Sequence, residues 1–331
     1  MSLRRFNHRI TLSTEQTLEV TIDKTDEKPF GIIHILHGVA EHKDRYDAVA
    51  EYLCKRGYHV LRHNHRGHGM NIEASSRGHF NALQDLVDDV KEVRDTFKSE
   101  LNPELPFILL GHSMGSLVAR QYVHDYPNDV DALILSGTVV YPKIQGNLNL
   151  YALKFVNLFL GSRTKSKFIN NIAFKTMNRK HKDLNKDHKW LSQSDENREQ
   201  YEKDKYSGFP ISHRVLLETI KAAVQTKKIS YIKQQNLNMP ILLVSGKEDH
   251  FGGFGNGIKQ LASIYKRSGV KHVTVQLYKN KRHEVLFETN RYAVYEHLYN
   301  WLMVQIKQLE KEEISNEWKT INCNSRTYCS R

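Results

Sequence analysis

Three residues have the types and the chain order needed for acyl transfer by a serine nucleophile: Ser113, Asp249 and His283. Ser113 lies in Gly111-His112-Ser113-Met114-Gly115. A serine hydroxyl is a weak nucleophile at neutral pH and must be exposed, set beside a base and surrounded by donors for the developing oxyanion. The G-x-S-x-G spacing meets the first need, because a serine on a sharp strand-to-helix turn requires neighbours without side chains where helix and strand approach. His283 is expected to take the serine proton and return it to the leaving group, while Asp249 holds the imidazole. Glu248, one residue earlier, is the alternative acid. The Met114 amide directly follows the nucleophile and is one expected oxyanion donor. The loop His37-Gly38-Val39-Ala40 follows an earlier strand and offers the Val39 amide as the second.

These positions need elements to carry them. Phe107 to Leu110 is a short apolar run without polar alternation, the pattern of a strand buried on both faces, and a helix is expected from Gly115 to Tyr126. Strands are also expected at Arg9–Leu12, Leu18–Ile22, Phe30–Leu36, Tyr58–Arg62, Val130–Gly137, Ile241–Val244 and Val273–Tyr278. Helices fit between them at Tyr46–Lys55, Leu83–Leu101, Ile258–Arg267 and Asn290–Leu309. Leu86, Val87, Val90, Val93 and Phe97 form the apolar stripe of the second. The first two strands read as an antiparallel pair and the rest as βα units, so the fold class is α/β, with a mostly parallel central sheet and helices on both faces. Asp249 and His283 then fall in loops at the edge where such sheets bind ligands.

From Tyr141 to Asn238 the alternation stops. Residues 141–238 are expected to form a helical cap inserted into a core made of 1–140 and 239–310, with a polar, disordered tail at 311–331. The helix Leu148–Leu160 is apolar nearly all round, which suits either a core-packed cap helix or a lid touching lipid. Leu148, Tyr151 and Phe155 are its expected substrate-lining residues.

Composition excludes several classes. No run reaches the roughly 18 apolar residues of a membrane span, and the first residues lack the apolar core of a secretion signal, so a cytoplasmic protein is expected. Three cysteines give no disulfide framework and no metal-ligand spacing. His37, His63, His65 and His68 fit no usual zinc pattern, and loop stabilisation is their expected role. A net charge of +12 attracts anionic surfaces at low salt, but no nucleic-acid module accompanies it. Gly161 to Trp190 carries nine Lys or Arg against two Asp, a basic stretch that suits either a solvated face or phosphate headgroups and transient contact with an anionic membrane surface.

Taken together, several motifs resemble the serine α/β-hydrolases of the monoacylglycerol lipase and lysophospholipase group. They are H-G-V-A-E-H at His37 to His42, R-G-H-G at Arg66 to Gly69, G-H-S-M-G at Gly111 to Gly115, the Asp249 loop, and H-E-V-L-F-E at His283 to Glu288. The W-L-S at Trp190 and the G-F-P at Gly208 belong to the same set, and the likeness runs from Phe30 to Trp301. It implies an α/β-hydrolase fold, esterase chemistry on a single acyl chain of a lipid ester, a helical cap over the serine and no cofactor. Carried over by motif, it again marks Ser113, Asp249 and His283, with Val39 and Met114 as oxyanion donors. The chain departs from the pattern at Asn64 and Asn71, where the group has Asp and Ser, and at Val39, where a smaller residue is usual. A small-ester esterase, an aminopeptidase-like hydrolase and a non-catalytic binding protein remain alternatives, since fold and triad do not fix the leaving group.

Overall fold

The computed structural model describes residues 3–171 and 188–307. Eight strands form one sheet: β1 (Leu3–Thr11), β2 (Thr17–Thr25), β3 (Gly31–Leu36), β4 (Tyr58–His63), β5 (Phe107–His112), β6 (Ala132–Ser136), β7 (Ile241–Gly246) and β8 (Val273–Tyr278), in the order β1-β2-β4-β3-β5-β6-β7-β8. The β1–β2 and β2–β4 pairs are antiparallel and all others parallel. Register aligns the ends that matter: Leu36 pairs with Gly111, His112 with Ser136, Ser136 with Val244, and Gly246 with Tyr278. The loops carrying Val39, Ser113, Asp249 and His283 therefore leave the sheet at one edge.

Strands β3, β5, β6 and β7 are buried along their whole length, as continuous apolar runs require when both faces are covered. One face packs on α2 (Leu83–Phe97), α3 (Met114–Asp125) and, after β7, Asn256–Arg267. The expected stripe Leu86, Val87, Val90, Val93 and Phe97 is wholly in this core. The other face packs on α1 (Asp47–Cys54) and the helix at residues 291–307, through Val49, Leu53, Tyr295, Leu298 and Leu302.

Between β6 and β7 the described residues form helices and turns. These include α4 (Lys143–Leu160), α5 (Asp195–Lys203) and α6 (His213–Gln225); the later helices are then α7 (Asn256–Arg267) and α8 (residues 291–307). Helix α4 starts five residues before its expected Leu148, directly after Pro142, whose fixed φ suits a helix start. Gly146 and Asn147 hid that first turn from propensity reasoning. Gly146 is there because α4 lies close on α6: a Cβ would come within 2.8 Å of Val224 Cγ2. Most of the basic stretch, residues 172–187, and the tail 311–331 lie outside the described residues.

Candidate active site

Ser113 joins β5 to α3 with φ +51° and ψ −115°, a conformation that side chains other than glycine rarely adopt. The surrounding packing holds it there. A Cβ on Gly111 would meet the Gly115 carbonyl oxygen, and one on Gly115 would meet the Leu36 carbonyl oxygen of β3. Both glycines are thus demanded by the approach of α3 to two strands. The Ser113 amide donates to the Ser136 carbonyl at 3.0 Å, and the Ser116 hydroxyl caps the Ser113 carbonyl at 2.5 Å.

His283 reaches this turn from the loop after β8. Its Nε2 lies 2.9 Å from Ser113 Oγ and its Nδ1 lies 3.1 Å from Asp249 Oδ1. The Asp249 carboxylate also accepts from the Phe251 amide at 2.9 Å and the Ser245 hydroxyl at 3.1 Å. Burial works against charge on both partners, yet their mutual attraction and these donors prevail. The His283 pKa is raised above its ordinary 6.5 and that of Asp249 is held below the usual carboxylate value. His112, with its ring centroid 4.9 Å from that of His283, is pushed by burial to about 3 and stays neutral. Glu248 points elsewhere, accepting from Gln193 Nε2 at 2.9 Å, so Asp249 is the acid that meets the imidazole.

A cavity of about 480 Å³ opens at Ser113, with Val39 and Met114 in its wall. Among the described residues the amides of Val39 and Met114 donate to no acceptor, whereas the amides flanking Val39 are engaged: Gly38 to Glu41, and Ala40 to His68 Nε2 at 3.2 Å. The remaining wall includes Val139, Tyr141, Leu153, Val156, Leu216 and Phe251. Leu148, Tyr151 and Phe155 do not line it: they are 64, 68 and 64% exposed, on the outer side of α4. The inner side is Gln145, Asn149, Ala152, Leu153 and Val156. Sequence reasoning missed these five because a helix apolar nearly all round has no face marked as inward.

The loop histidines support backbone. His37 Nε2 accepts the His65 amide at 2.9 Å, and burial pushes the His37 and His68 pKa values to about 3. No group of residues suited to hold a metal ion occurs among the described residues. Asn64, one of the departures from the family pattern, accepts the Lys43 amide and donates to Glu19, each at 2.8 Å, and Asn71 also donates to Glu19. The two substitutions therefore act as a pair on one carboxylate of β2.

Residues 27–290 match the sequence profile of the serine aminopeptidase family S33. The chain belongs to this family. As an S33-family serine hydrolase it has relatives of several activities. It is 25% identical to the monoglyceride lipase homolog of Monkeypox virus across 84% of this chain and 91% of that one. It is 36% identical to the monoacylglycerol lipase of Mycolicibacterium smegmatis across 35% of this chain and 40% of the other. In structure it is similar to a thermostable carboxyl esterase from Bacillus coagulans, with a TM-score of 0.83 at 21% identity, over 92% of this chain and 99% of that one. That likeness establishes the α/β-hydrolase fold.

Proposed function

We propose that this S33-family member hydrolyses carboxylic esters of monoacyl lipids, a monoacylglycerol or a lysophospholipid, through an acyl-enzyme on Ser113. In this reading His283 removes the Ser113 proton as Oγ attacks the ester carbonyl, and the Val39 and Met114 amides receive the oxyanion. His283⁺ then protonates the departing alcohol. Water, activated by the same imidazole, frees the fatty acid and restores Ser113. Asp249 keeps the proton-bearing nitrogen of His283 pointed away from the serine and stabilises the imidazolium.

The observation that carries the substrate class is the cavity: about 480 Å³, walled mainly by Val, Leu, Ile and Phe side chains, with Ser113 in its lining. That volume is in the range of about 300–1,000 Å³ typical of small-molecule sites. Among the described residues no acidic side chain lines it, so a substrate ammonium group would find no partner among them, which favours an ester over an aminopeptide despite the family's name. The monoglyceride lipase relatives favour the same choice.

The segment 141–238 serves as the cap in this reading, and the outer surface of its helix α4 as a contact for anionic membrane. Ile144, Leu148, Tyr151, Phe155, Leu158 and Phe159 are all exposed on α4. From Ala132 to Lys182 the sequence has no Asp or Glu and nine Lys or Arg. An apolar helix face on a stretch of sequence that carries basic and no acidic side chains is the composition of an interfacial element. The reaction is tested with a panel of monoacylglycerols, lysophospholipids and short p-nitrophenyl esters, together with fluorophosphonate labelling. Hydrolysis and labelling that Ser113→Ala abolishes are expected; folded wild-type protein that neither labels nor hydrolyses any ester would overturn the reading.

A further inference from the structure

Arg45 does not line the cavity, yet its hydrogen-bond partners lie on the loop that carries Val39, on the loop that carries His283 and on α5. It lies in the short helical turn Lys43–Tyr46, with its side chain 9% exposed. Its Nη1 donates to Glu41 and, at 2.6 Å, to Glu284 Oε1. Its Nη2 donates to Glu284 Oε2 at 2.8 Å and to Asn197 Oδ1 at 3.1 Å. The guanidinium carbon lies over two rings, 4.9 Å from the Tyr201 centroid and 4.5 Å from that of Phe287.

Each partner has a second attachment. Glu41 Oε1 accepts the Gly38 amide at 2.5 Å and the Tyr46 hydroxyl at 2.9 Å, so it fixes the residue just before Val39. Glu284 directly follows His283, and its amide donates to the Leu191 carbonyl at 2.8 Å. Asn197 and Tyr201 belong to α5, and Asn197 Nδ2 donates to Glu284 Oε2 at 2.7 Å. On the far side of Val39, the Ala40 carbonyl accepts the Tyr201 hydroxyl at 3.2 Å and the Gly208 amide at 2.9 Å. The loop bearing Val39 is therefore gripped from both sides, and one buried cation joins that grip to the His283 loop and to α5.

We propose that Arg45 is a positioning residue that holds the Val39 amide and the His283 imidazole in register with one another and ties both to helix α5. The proposal rests on the assignment of His283 as base and Val39 as oxyanion donor. A guanidinium suits this place because its planar fork serves three partners at fixed angles; a lysine ammonium would lose the bidentate grip on Glu284. The network holds two carboxylates and one cation, so it leaves net negative charge beside His283. Among the described residues, the charged or titratable groups around that imidazole include Asp249, Glu284, Glu41, the neutral His112 and, through the two glutamates, Arg45 itself. Movement of α5 would then be felt at the oxyanion loop without any contact between α5 and the ester.

The test uses purified full-length Arg45→Lys, Arg45→Gln, Glu284→Gln and Tyr201→Phe, assayed on a soluble p-nitrophenyl ester across pH, with Tm recorded for each. Arg45→Lys is expected to lower kcat by ~10- to 100-fold with KM little changed, the size of loss that follows small misplacement of reacting groups. Arg45→Gln should move the acidic limb of the pH profile upward, because it leaves two carboxylates unopposed near His283; Glu284→Gln should move it downward. Tyr201→Phe keeps the ring and loses only the tie to Ala40, and a kcat decrease at unchanged KM is expected. Folded variants with lower Tm but unaltered kcat and pH limb would reduce Arg45 to a structural role and overturn the proposal. If both Arg45 variants fail to fold, Tyr201→Phe and Glu284→Gln decide it by the same readouts. Absence of hydrolysis by the wild type would instead defeat the functional reading itself.

Discussion

Removal of the Ser113 hydroxyl is the most direct residue-scale perturbation: Ser113→Ala should reduce ester turnover by a factor on the order of 10⁶, measured in steady-state assays with the unaltered fold checked by circular dichroism. The pH dependence has a definite sign. In the proposed mechanism His283 must be neutral to accept the serine proton, and its pKa is raised above 6.5, so kcat/KM should fall as pH drops through a midpoint above that value. Asp249→Asn removes the charge that raises it; the midpoint should move to lower pH and turnover should drop by about 10⁴, the loss typical when the orienting carboxylate goes. Near-full activity in that variant would point to Glu248. At this scale the sequence was informative, because a nucleophile elbow, an acid and a histidine are bound by chain order and strand ends. The Arg45 network was not legible. Arg45 and Glu284 lie 239 residues apart, and nothing in local spacing says that they and Glu41 share one buried site.

Among the elements, α4 shows where pattern reading stops. Its apolar residues were evident, but periodicity specifies a face only when the opposite face is polar. Here the larger side chains, Leu148, Tyr151 and Phe155, face outward, and the smaller Ala152 and Val156 line the cavity. Two substitutions separate the sides. Val156→Trp should fill the cavity and depress hydrolysis of long-chain esters more than of short ones, read as the ratio of kcat/KM across acyl lengths. Leu148→Ser combined with Phe155→Ser should leave short soluble esters unaffected and reduce sedimentation with anionic vesicles; equal binding by variant and wild type would exclude that face as a membrane contact. The parallel strands β3 to β8, by contrast, were placed to within two residues, since continuous apolar runs between turns admit few other readings, whereas β1 begins six residues before the expected Arg9 and β2 ends three after Ile22.

The whole molecule encloses a set of neutral histidines. His34, His37, His68 and His112 are pushed by burial to about 3, and His63 and His65 lie well below their ordinary value. The unfolded chain binds protons at these sites below about pH 6.5 and the folded chain does not, so their stability contribution is full above that pH and is lost as pH falls from there toward 3. Each contributes a slope of about 1.4 kcal/mol per pH unit within that window. Urea midpoints should decline steeply as pH falls below 6.5; a flat profile down to pH 5 would show that these rings ionise without unfolding. The sequence displayed the histidines but not their burial, which arises only when β3, β4 and their loops pack together.

The stretch without acidic residues has a consequence for motion rather than for contact. Its described cations Lys154, Arg163, Lys165 and Lys167 belong to α4 and the residues just after it, beside the wall of the cavity. If α4 is the membrane contact proposed above, this one-signed stretch would give the molecule a preferred heading near an anionic surface. Near an anionic surface it would rotate before it adheres, presenting α4 first, and productive arrivals would outnumber those of an evenly charged protein of the same net charge. Salt shortens the range of that torque to about 8 Å at 0.15 M. Ionic strength should therefore govern how often the enzyme lands the right way round, and leave the turnover of an ester already bound unchanged.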